Sequence, residues 1–454
     1  MQTAEEALSY LYGLIPKGIK LGLKNISCVL KELGDPQLKI PSIQIAGTNG
    51  KGSTAAFCES ILRTAGYRVG LYTSPHLIHF SERIQIDRTP LPEDEMTSLI
   101  LRIKEVVEKK GIPITFFEFS TAMAFLYFAE QGTDISIIEV GMGGRLDATS
   151  LCGGDISIIT SISHDHSSYL GDSIEQIAFE KASIIKKKGT VFAVNESKKA
   201  VEVIKRVARE KYAKIQFLGN HFRIKRTGQE TSSQSLIYSN KEDRFENLEL
   251  SLLGDFQADN AALAVSACIY LAGRMGKDLN EQSIRAGLKT TRWDGRIEVV
   301  SNSPIIILDS AHNPGAVNKM TDSVQSLFSY ARVIVVIGLM KDKSGNEILE
   351  ILSKFGDQFI LVRPNQERSE NPERLKEILK HHRISCEVIE DVSEAIERVK
   401  IIAKPDDLVC ITGSIFTVGE AKKYFAENES DVVEYDVAEY SNQSIAALPH
   451  ELVL

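Results

Sequence analysis

Residues 43–54 read Ile43-Gln44-Ile45-Ala46-Gly47-Thr48-Asn49-Gly50-Lys51-Gly52-Ser53-Thr54. The apolar run 43–46 predicts a buried strand, the glycines a turn, and the pattern over 53–65 a helix. Glycines let successive backbone N–H groups turn inward around a phosphate, and the N-terminus of the following helix adds partial positive charge. Lys51 can reach outer phosphates, and Ser53 or Thr54 offers a hydroxyl to phosphate or Mg²⁺. The spacing departs from the general phosphate-loop pattern: the first glycine lies three residues before Gly50 rather than five, and Gly52 separates the lysine from the hydroxyl. Such a turn can be purely structural, but a strand–turn–helix setting favours a phosphate site.

Outward from this stretch, apolar runs at 135–140, 156–162 and 191–194 alternate with helical patterns. That alternation implies a mostly parallel sheet, the α/β class. An amphipathic region over 4–33 precedes it. From 214 to 253 short alternating runs with turn signals at Gly219-Asn220 and Ser239-Asn240 predict an antiparallel patch, followed by a helix over 257–272. A second strand–helix series begins near 299, with strands at 305–308, 333–337, 359–362, 387–389 and 408–412. The expected organisation is a P-loop-containing, mostly parallel domain over 1–298, with its small antiparallel patch. A smaller Rossmann-like α/β domain follows over 299–426, then an acidic tail over 427–454, extended or only partly helical.

A chain of 454 residues exceeds what one hydrophobic core usually supports, which agrees with two domains. Apolar residues at 43% and charged residues at 25% describe a soluble globular protein. Fifty-three basic residues against 61 acidic ones give a net charge of -8, the wrong balance for a protein living on nucleic acid. Much of that charge is local. No Lys or Arg follows Lys423, whereas 427–454 holds seven acids, so the remainder carries a net charge of only -1. No run of eighteen apolar residues occurs and the first residues lack a basic and an apolar signal region, so neither a membrane helix nor a secretory leader is expected. Cys28, Cys58, Cys152, Cys268, Cys386 and Cys410 show no CxxC spacing and read as free thiols in a reducing cytoplasm.

Acids and imidazoles mark other strand ends. Glu139 closes the run 135–139 before Gly141-Met142-Gly143-Gly144-Arg145-Leu146-Asp147, and a carboxylate there, beside a phosphate loop, is where a Mg²⁺ ligand is wanted. Ser163-His164-Asp165-His166 ends the next strand. Its histidines suggest zinc, yet no cysteine or second histidine pair stands at ligand spacing, and surface histidines beside a turn explain them as well. Lys181, in a helical stretch, reads alone as a solvated charge. Asp309-Ser310-Ala311-His312-Asn313-Pro314 puts an acid and an imidazole at a strand end where open α/β sheets bind ligands, although it also fits a turn with an Asn-Pro breaker.

Order decides what single motifs leave open. GTNGKGS (47–53), YTSPHL (72–77), ERI (82–84), FFEFSTAMAF (116–125), EVGMGGRLDAT (139–149), DH…LG (165–171), EKASIIK (180–186), Gln257 with Asn260, WDGR (293–296) and LDSAHNP (308–314) follow one another. Together, over about residues 5–420, they closely resemble the folylpolyglutamate synthase and dihydrofolate synthase family of the Mur-ligase superfamily. The resemblance implies a cytoplasmic, monomeric, ATP-dependent ligase that adds L-glutamate to 7,8-dihydropteroate and to reduced folates through an acyl phosphate.

By that resemblance Gly47, Thr48, Asn49, Gly50, Lys51, Gly52 and Ser53 hold the triphosphate, with Lys51 also catalytic. Ser74, Glu139 and His166 are Mg²⁺ ligands. Lys181 carries a CO₂-derived carbamate that holds a second Mg²⁺. Asn260, Arg296 and Asp309 bind nucleotide, and His312 stands beside the transferring phosphate. Thr115, Phe116, Phe117, Glu118, Leu146, Asp147 and Ala148 line the pteridine pocket, where stacking rings and a carboxylate suit a flat heterocycle.

This chain departs from the usual family pattern at His79, His164, Ser183, Phe256, Asp294 (for a proline in WPGR), Ser310 and Gly315. Competing readings are a synthase that only extends folates, a cell-wall Mur ligase and a P-loop NTPase without ligase activity. The FFEFST segment and two-domain length speak against the second, and the Ser74, Glu139, His166 and Lys181 set against the third.

Overall fold

The computed structural model describes residues 3–18, 20–165, 167–277 and 279–428. The acidic tail beyond 428 therefore lies outside the described residues. Two compact units are present: Met1–Ser251 with Phe256–Trp293, and Leu252–Asp255 with Asp294–Leu454.

The first unit is built on eight strands: β1 (Ser42–Ala46), β2 (Val69–Tyr72), β3 (Ile84–Ile86), β4 (Thr89–Pro90), β5 (Ile135–Glu139), β6 (Ile156–Ile159), β7 (Thr190–Ala193) and β8 (Lys214–Phe217). They lie in the order β4-β3-β2-β5-β1-β6-β7-β8. From β2 to β8 all pairings are parallel, while β3 and β4 add antiparallel strands at one edge. Every residue of β1 and of β5 is buried, the continuous apolar run that a sheet covered on both faces requires.

Register positions the chemistry. Ile45 of β1 lies opposite Glu139 of β5, Ala46 lies opposite Ile159 of β6, and Tyr72 of β2 lies opposite Ile138. The Gly47 loop, Glu139, Thr160 and Thr73-Ser74 thus emerge together at the carboxyl ends of four adjacent strands.

Helices supply the covering layers. Ala4–Tyr12, Lys24–Glu32, Glu93–Lys110 and Phe116–Glu130 contribute Leu11, Leu30, Ile103 and Phe119 to one core. Phe116–Glu130 is apolar on nearly all sides because it is surrounded, and the Thr115–Glu118 capping box starts it. A second core joins Ala178, Ile204 and Phe217 from Ile174–Ala182, Lys198–Glu210 and β8. Each such Leu, Ile or Phe side chain contributes roughly 1.5–3 kcal/mol on burial.

The antiparallel sheet, β9 (Arg223–Gln229), β10 (Gln234–Ser239) and β11 (Arg244–Leu250), runs in the order β11-β10-β9. It begins later than the sequence pattern suggests. Residues 214–217 alternate because they form β8, an edge strand of the main sheet paired only with β7.

The second unit holds β12 (Glu298–Asn302), β13 (Ile305–Asp309), β14 (Val333–Ile337), β15 (Gln358–Leu361), β16 (Ser385–Val388) and β17 (Leu408–Thr412), ordered β12-β13-β17-β14-β15-β16. Only β12 is antiparallel to its neighbour. Among the described residues no helix is long and apolar enough to cross a membrane, and all six cysteines are free thiols.

Candidate active site

Gly50 is the N-cap of helix Lys51–Thr64, with φ +84 and no side-chain cap on the first N–H groups. A helix start of this kind presents its N–H groups to an anion. A Cβ at Gly50 would sit 2.4 Å from Asn260 Oδ1, and one at Gly52 2.7 Å from Cζ2 of Trp293, so both side chains lie directly against the loop. Gln257 Nε2 donates to Ser53 Oγ at 3.3 Å, and Asn260 Nδ2 donates to Gln257 Oε1 at 2.9 Å. From the other side the segment after β6 braces the loop. Thr160 Oγ1 donates to Asn49 O at 2.7 Å, Thr48 N donates to Ser161 O at 2.7 Å, and Thr48 Oγ1 both donates to Ser163 O and accepts from Ser163 N.

Two lysines meet at one carbonyl. Lys51 Nζ donates to Gly47 O at 3.3 Å and to Thr48 O at 3.1 Å, and Lys181 Nζ donates to the same Gly47 O at 2.8 Å. The reading of Lys181 as a solvated charge is overturned, since it is only 5% exposed. Burial first, then the Lys51 charge, push its ammonium from 10.5 down to about 7 against the opposing pull of Asp165 and Asp147. The neutral amine is thereby favoured far more than in an exposed lysine.

Glu139 is buried at the end of β5, and Ser74 N donates to its Oε2 at 3.1 Å. Nearby, buried Arg83 donates from Nε to His76 Nδ1 at 2.8 Å and lies 5.1 Å over the Phe116 ring. Burial, with Arg83 beside it, holds His76 well below its usual range, so the ring is neutral with its proton on Nε2. His166 lies outside the described residues. Among the described residues no three His, Cys, Asp or Glu side chains cluster at metal-ligand spacing; Glu139 and Ser74 meet at the carboxyl ends of β5 and β2.

The aromatic wall is formed by Phe116, stacked on Tyr12 at 6.1 Å and edge-on to Phe80 at 5.9 Å, and by Phe117, 6.2 Å from Tyr72. Thr115 and Glu118 are buried and engage each other, Thr115 N and Oγ1 each donating to Glu118 Oε2 at 2.9 Å. Asp147 is likewise turned to its own loop, accepting from Met142 N at 2.8 Å and from Thr149 N at 3.0 Å. Burial raises its carboxyl above the usual range. Ala148 is buried and Leu146 half-buried.

In the second unit Asp309 is buried at the end of β13. Its Oδ2 accepts from Ile297 N and its Oδ1 from Ala311 N, both at 2.9 Å. Burial raises its carboxyl, with the Arg296 charge opposing. Arg296 Nη1 donates to Gly295 O at 2.8 Å. His312 Nδ1 lies 2.8 Å from Ser310 O, and since a carbonyl only accepts, Nδ1 carries the proton. Asn313 caps helix Pro314–Leu327 through Ala316 N, so the segment is a turn that starts a helix.

A Mur ligase middle domain matches residues 45–268, and a Mur ligase, glutamate ligase domain matches residues 295–415. The dihydrofolate synthase/folylpolyglutamate synthase of Bacillus subtilis (strain 168) is 34% identical over 425 residues, covering 92% of this chain and 98% of that protein. This chain belongs to the dihydrofolate synthase/folylpolyglutamate synthase family. Among solved members of that family, Escherichia coli FolC in complex with DHPP and ADP superposes with a TM-score of 0.86 at 32% identity, covering 94% of this chain and all 100% of that one. Mycobacterium tuberculosis folylpolyglutamate synthase complexed with ADP gives 0.87 at 29% identity, covering 93% and 99%.

Within this family member, motif order alone does not reveal the Arg83–His76 pair, the Thr160–Ser163 brace or Trp293 against Gly52. The YTSPHL, ERI and WDGR segments contain Arg83, His76 and Trp293 as letters, but their partnerships become visible only in three dimensions.

Proposed function

We propose that this chain is an ATP-dependent ligase that joins L-glutamate to 7,8-dihydropteroate and, by further rounds, to reduced folates, acting as a cytoplasmic monomer. The observation that carries the reading is Lys181: a buried lysine with an ammonium near 7, bonded to the first carbonyl of a phosphate loop. A switch or simple binding module has no use for such a group. A neutral amine can add to CO₂, releasing a proton and turning a cation into a carboxylate-like anion at the phosphate site.

The reaction joins two substrates through a phosphorylated carboxylate. The pteroate or folate carboxylate oxygen attacks the γ-phosphorus of ATP, ADP leaves, the amine of glutamate attacks the acyl carbon, and phosphate departs as the amide forms. Loop N–H groups and Lys51 hold and neutralise the phosphates, while the Thr160–Ser163 brace keeps those donors in place before the chemistry begins. Asn260, Arg296 and Asp309 bind nucleotide, and His312 supports the transferring phosphoryl group. Phe117, half-buried beside Tyr72, offers a stacking face for a pteridine, while Phe116, covered by Tyr12 and Arg83, backs that wall.

The donor set suits Mg²⁺. Glu139 carries a carboxylate and Ser74, whose N–H reaches it, a hydroxyl, both hard oxygen groups, and a Lys181 carbamate would add another. Ser74, Glu139 and His166 would hold one ion and the Lys181 carbamate would help hold a second; when bound, Mg²⁺ neutralises crowded phosphoryl oxygens. Phosphate and pterin recognition is assigned to residues 1–298, and a glutamate-ligase role to residues 299–426. The six free thiols fit a reducing compartment.

The test is purified protein with ATP, Mg²⁺ and L-glutamate, offered dihydropteroate, tetrahydrofolate or a UDP-muramoyl peptide, with products read by mass. One added glutamyl residue on each of the first two acceptors is expected. Product from tetrahydrofolate alone would restrict the chain to folate extension, and ATP hydrolysis without any acceptor-dependent product would sink the ligase reading.

A further inference from the structure

The turn that carries Arg296 is held by a residue far from it in sequence. Lys422, on helix Ile415–Glu427, places Nζ 2.6 Å from Asp294 Oδ2 and 2.6 Å from Glu298 Oε1. Glu298 Oε2 accepts Gly295 N at 2.7 Å. Gly295 O in turn accepts both Arg296 Nη1 and, at 2.9 Å, Ser310 N. Between them Ile297 stands at φ +45, a left-handed conformation that a β-branched residue adopts only when its surroundings over-determine it, and its N–H is spent on Asp309. One ammonium therefore grips both ends of the 294–298 turn.

Position 294 explains why the grip is needed. Asp294 has no pyrrolidine ring to fix its φ, which leaves the backbone there unconstrained. Its side chain can instead be tied by charge, and Lys422, 24% exposed, supplies the counter-charge while Glu298 shares it. Loss of the cation would leave two neighbouring carboxylates repelling each other across the turn, and the Gly295 and Ile297 hydrogen bonds that set Arg296 and Asp309 would be strained with them.

We propose that Lys422 is a positioning residue for nucleotide binding: through Asp294 and Glu298 it holds the 294–298 turn in the conformation that aims Arg296 at the nucleotide. The proposal rests on Arg296 as a nucleotide-binding residue, and it predicts a selective defect. In Lys422→Met the KM for ATP and the calorimetric Kd for Mg-ADP rise about tenfold, the size of effect that a misplaced binding group produces. The KM for L-glutamate and kcat stay within about twofold. Lys422→Arg, which can still bridge two carboxylates, restores most of the nucleotide affinity.

If Lys422→Met does not fold, as judged by circular dichroism, Lys422→Met/Asp294→Asn removes one of the two acids and with it their mutual repulsion, and is expected to show the same nucleotide defect. A folded variant with unchanged ADP affinity overturns the proposal, as does one whose KM values for ATP, glutamate and pteroate all rise together. Wild-type protein that binds ADP but forms no glutamylated product refutes the ligase reading while leaving the ADP comparison to decide this one. Wild-type protein that binds no ADP refutes the positioning role.

Discussion

At the scale of single residues, Lys51 and Lys181 share the carbonyl of Gly47 yet differ in what their environment does to them. Lys181 titrates near 10.5 in an unfolded chain and at about 7 in the folded one, so the native state holds fewer protons between those values. The cost of burying its charge is fully present below about 7 and is relieved as pH rises toward 10.5, so stability climbs across that window, by up to ~5 kcal/mol at ~1.4 kcal/mol per unit. Urea unfolding of the metal-free, CO₂-depleted protein at several pH values should show this rise in wild type and a flatter profile in Lys181→Met. Parallel profiles would mean that the lysine is already charged when folded. Lys181→Ala should lose about a hundredfold or more in kcat, as removal of a group acting on developing phosphoryl charge does, and added bicarbonate should not restore it. Rates like those of wild type would take Lys181 out of the site.

At the scale of elements, the phosphate loop depends on how one helix begins. Gly50→Ala forces a Cβ into a left-handed residue and against Asn260 Oδ1, and should cost roughly 1–3 kcal/mol in denaturant unfolding together with a raised KM for ATP. Unchanged stability would show that the loop can relax around a methyl group. Thr115→Val removes the cap of helix Phe116–Glu130, with an expected loss of ~1 kcal/mol. A shift in dihydropteroate KM without any change in melting would instead make Thr115 a direct substrate contact.

The legibility of these elements follows from their physics. β1, the loop and its helix are readable because a doubly covered parallel strand is one unbroken apolar run. β2 to β4 are not, since each has only two to four residues and Gly70 interrupts β2. Residues 214–217 look like part of an antiparallel patch because an edge strand alternates whichever sheet it borders. Within the site, Gly50 and Lys51 announce themselves by local spacing. The burial of Lys181 depends on Gly47, 134 positions away, so only the family resemblance singled it out beforehand.

At the scale of the molecule, two units each own a sheet and a core, so a single all-or-none transition is not expected on unfolding. The chain's one tryptophan gives that expectation an unusually clean observable. Trp293 is the last residue of the first unit, its indole lying against Gly52 while the Arg88 guanidinium sits 5.7 Å from the ring. Far-ultraviolet dichroism reports both units, whereas emission excited through the indole reports the packing of Trp293 against Gly52 and Arg88 in the first. Urea curves from the two signals should fail to superimpose, and coincident curves would mean that the units unfold as one. The same placement gives the protein an intrinsic optical probe at the mouth of its phosphate loop. With phosphate bound at Lys51 and Gly52 as proposed, the polarity felt by one fluorophore would change, and occupancy could be followed by light emission in the unlabelled chain, at equilibrium or in a stopped-flow mixer.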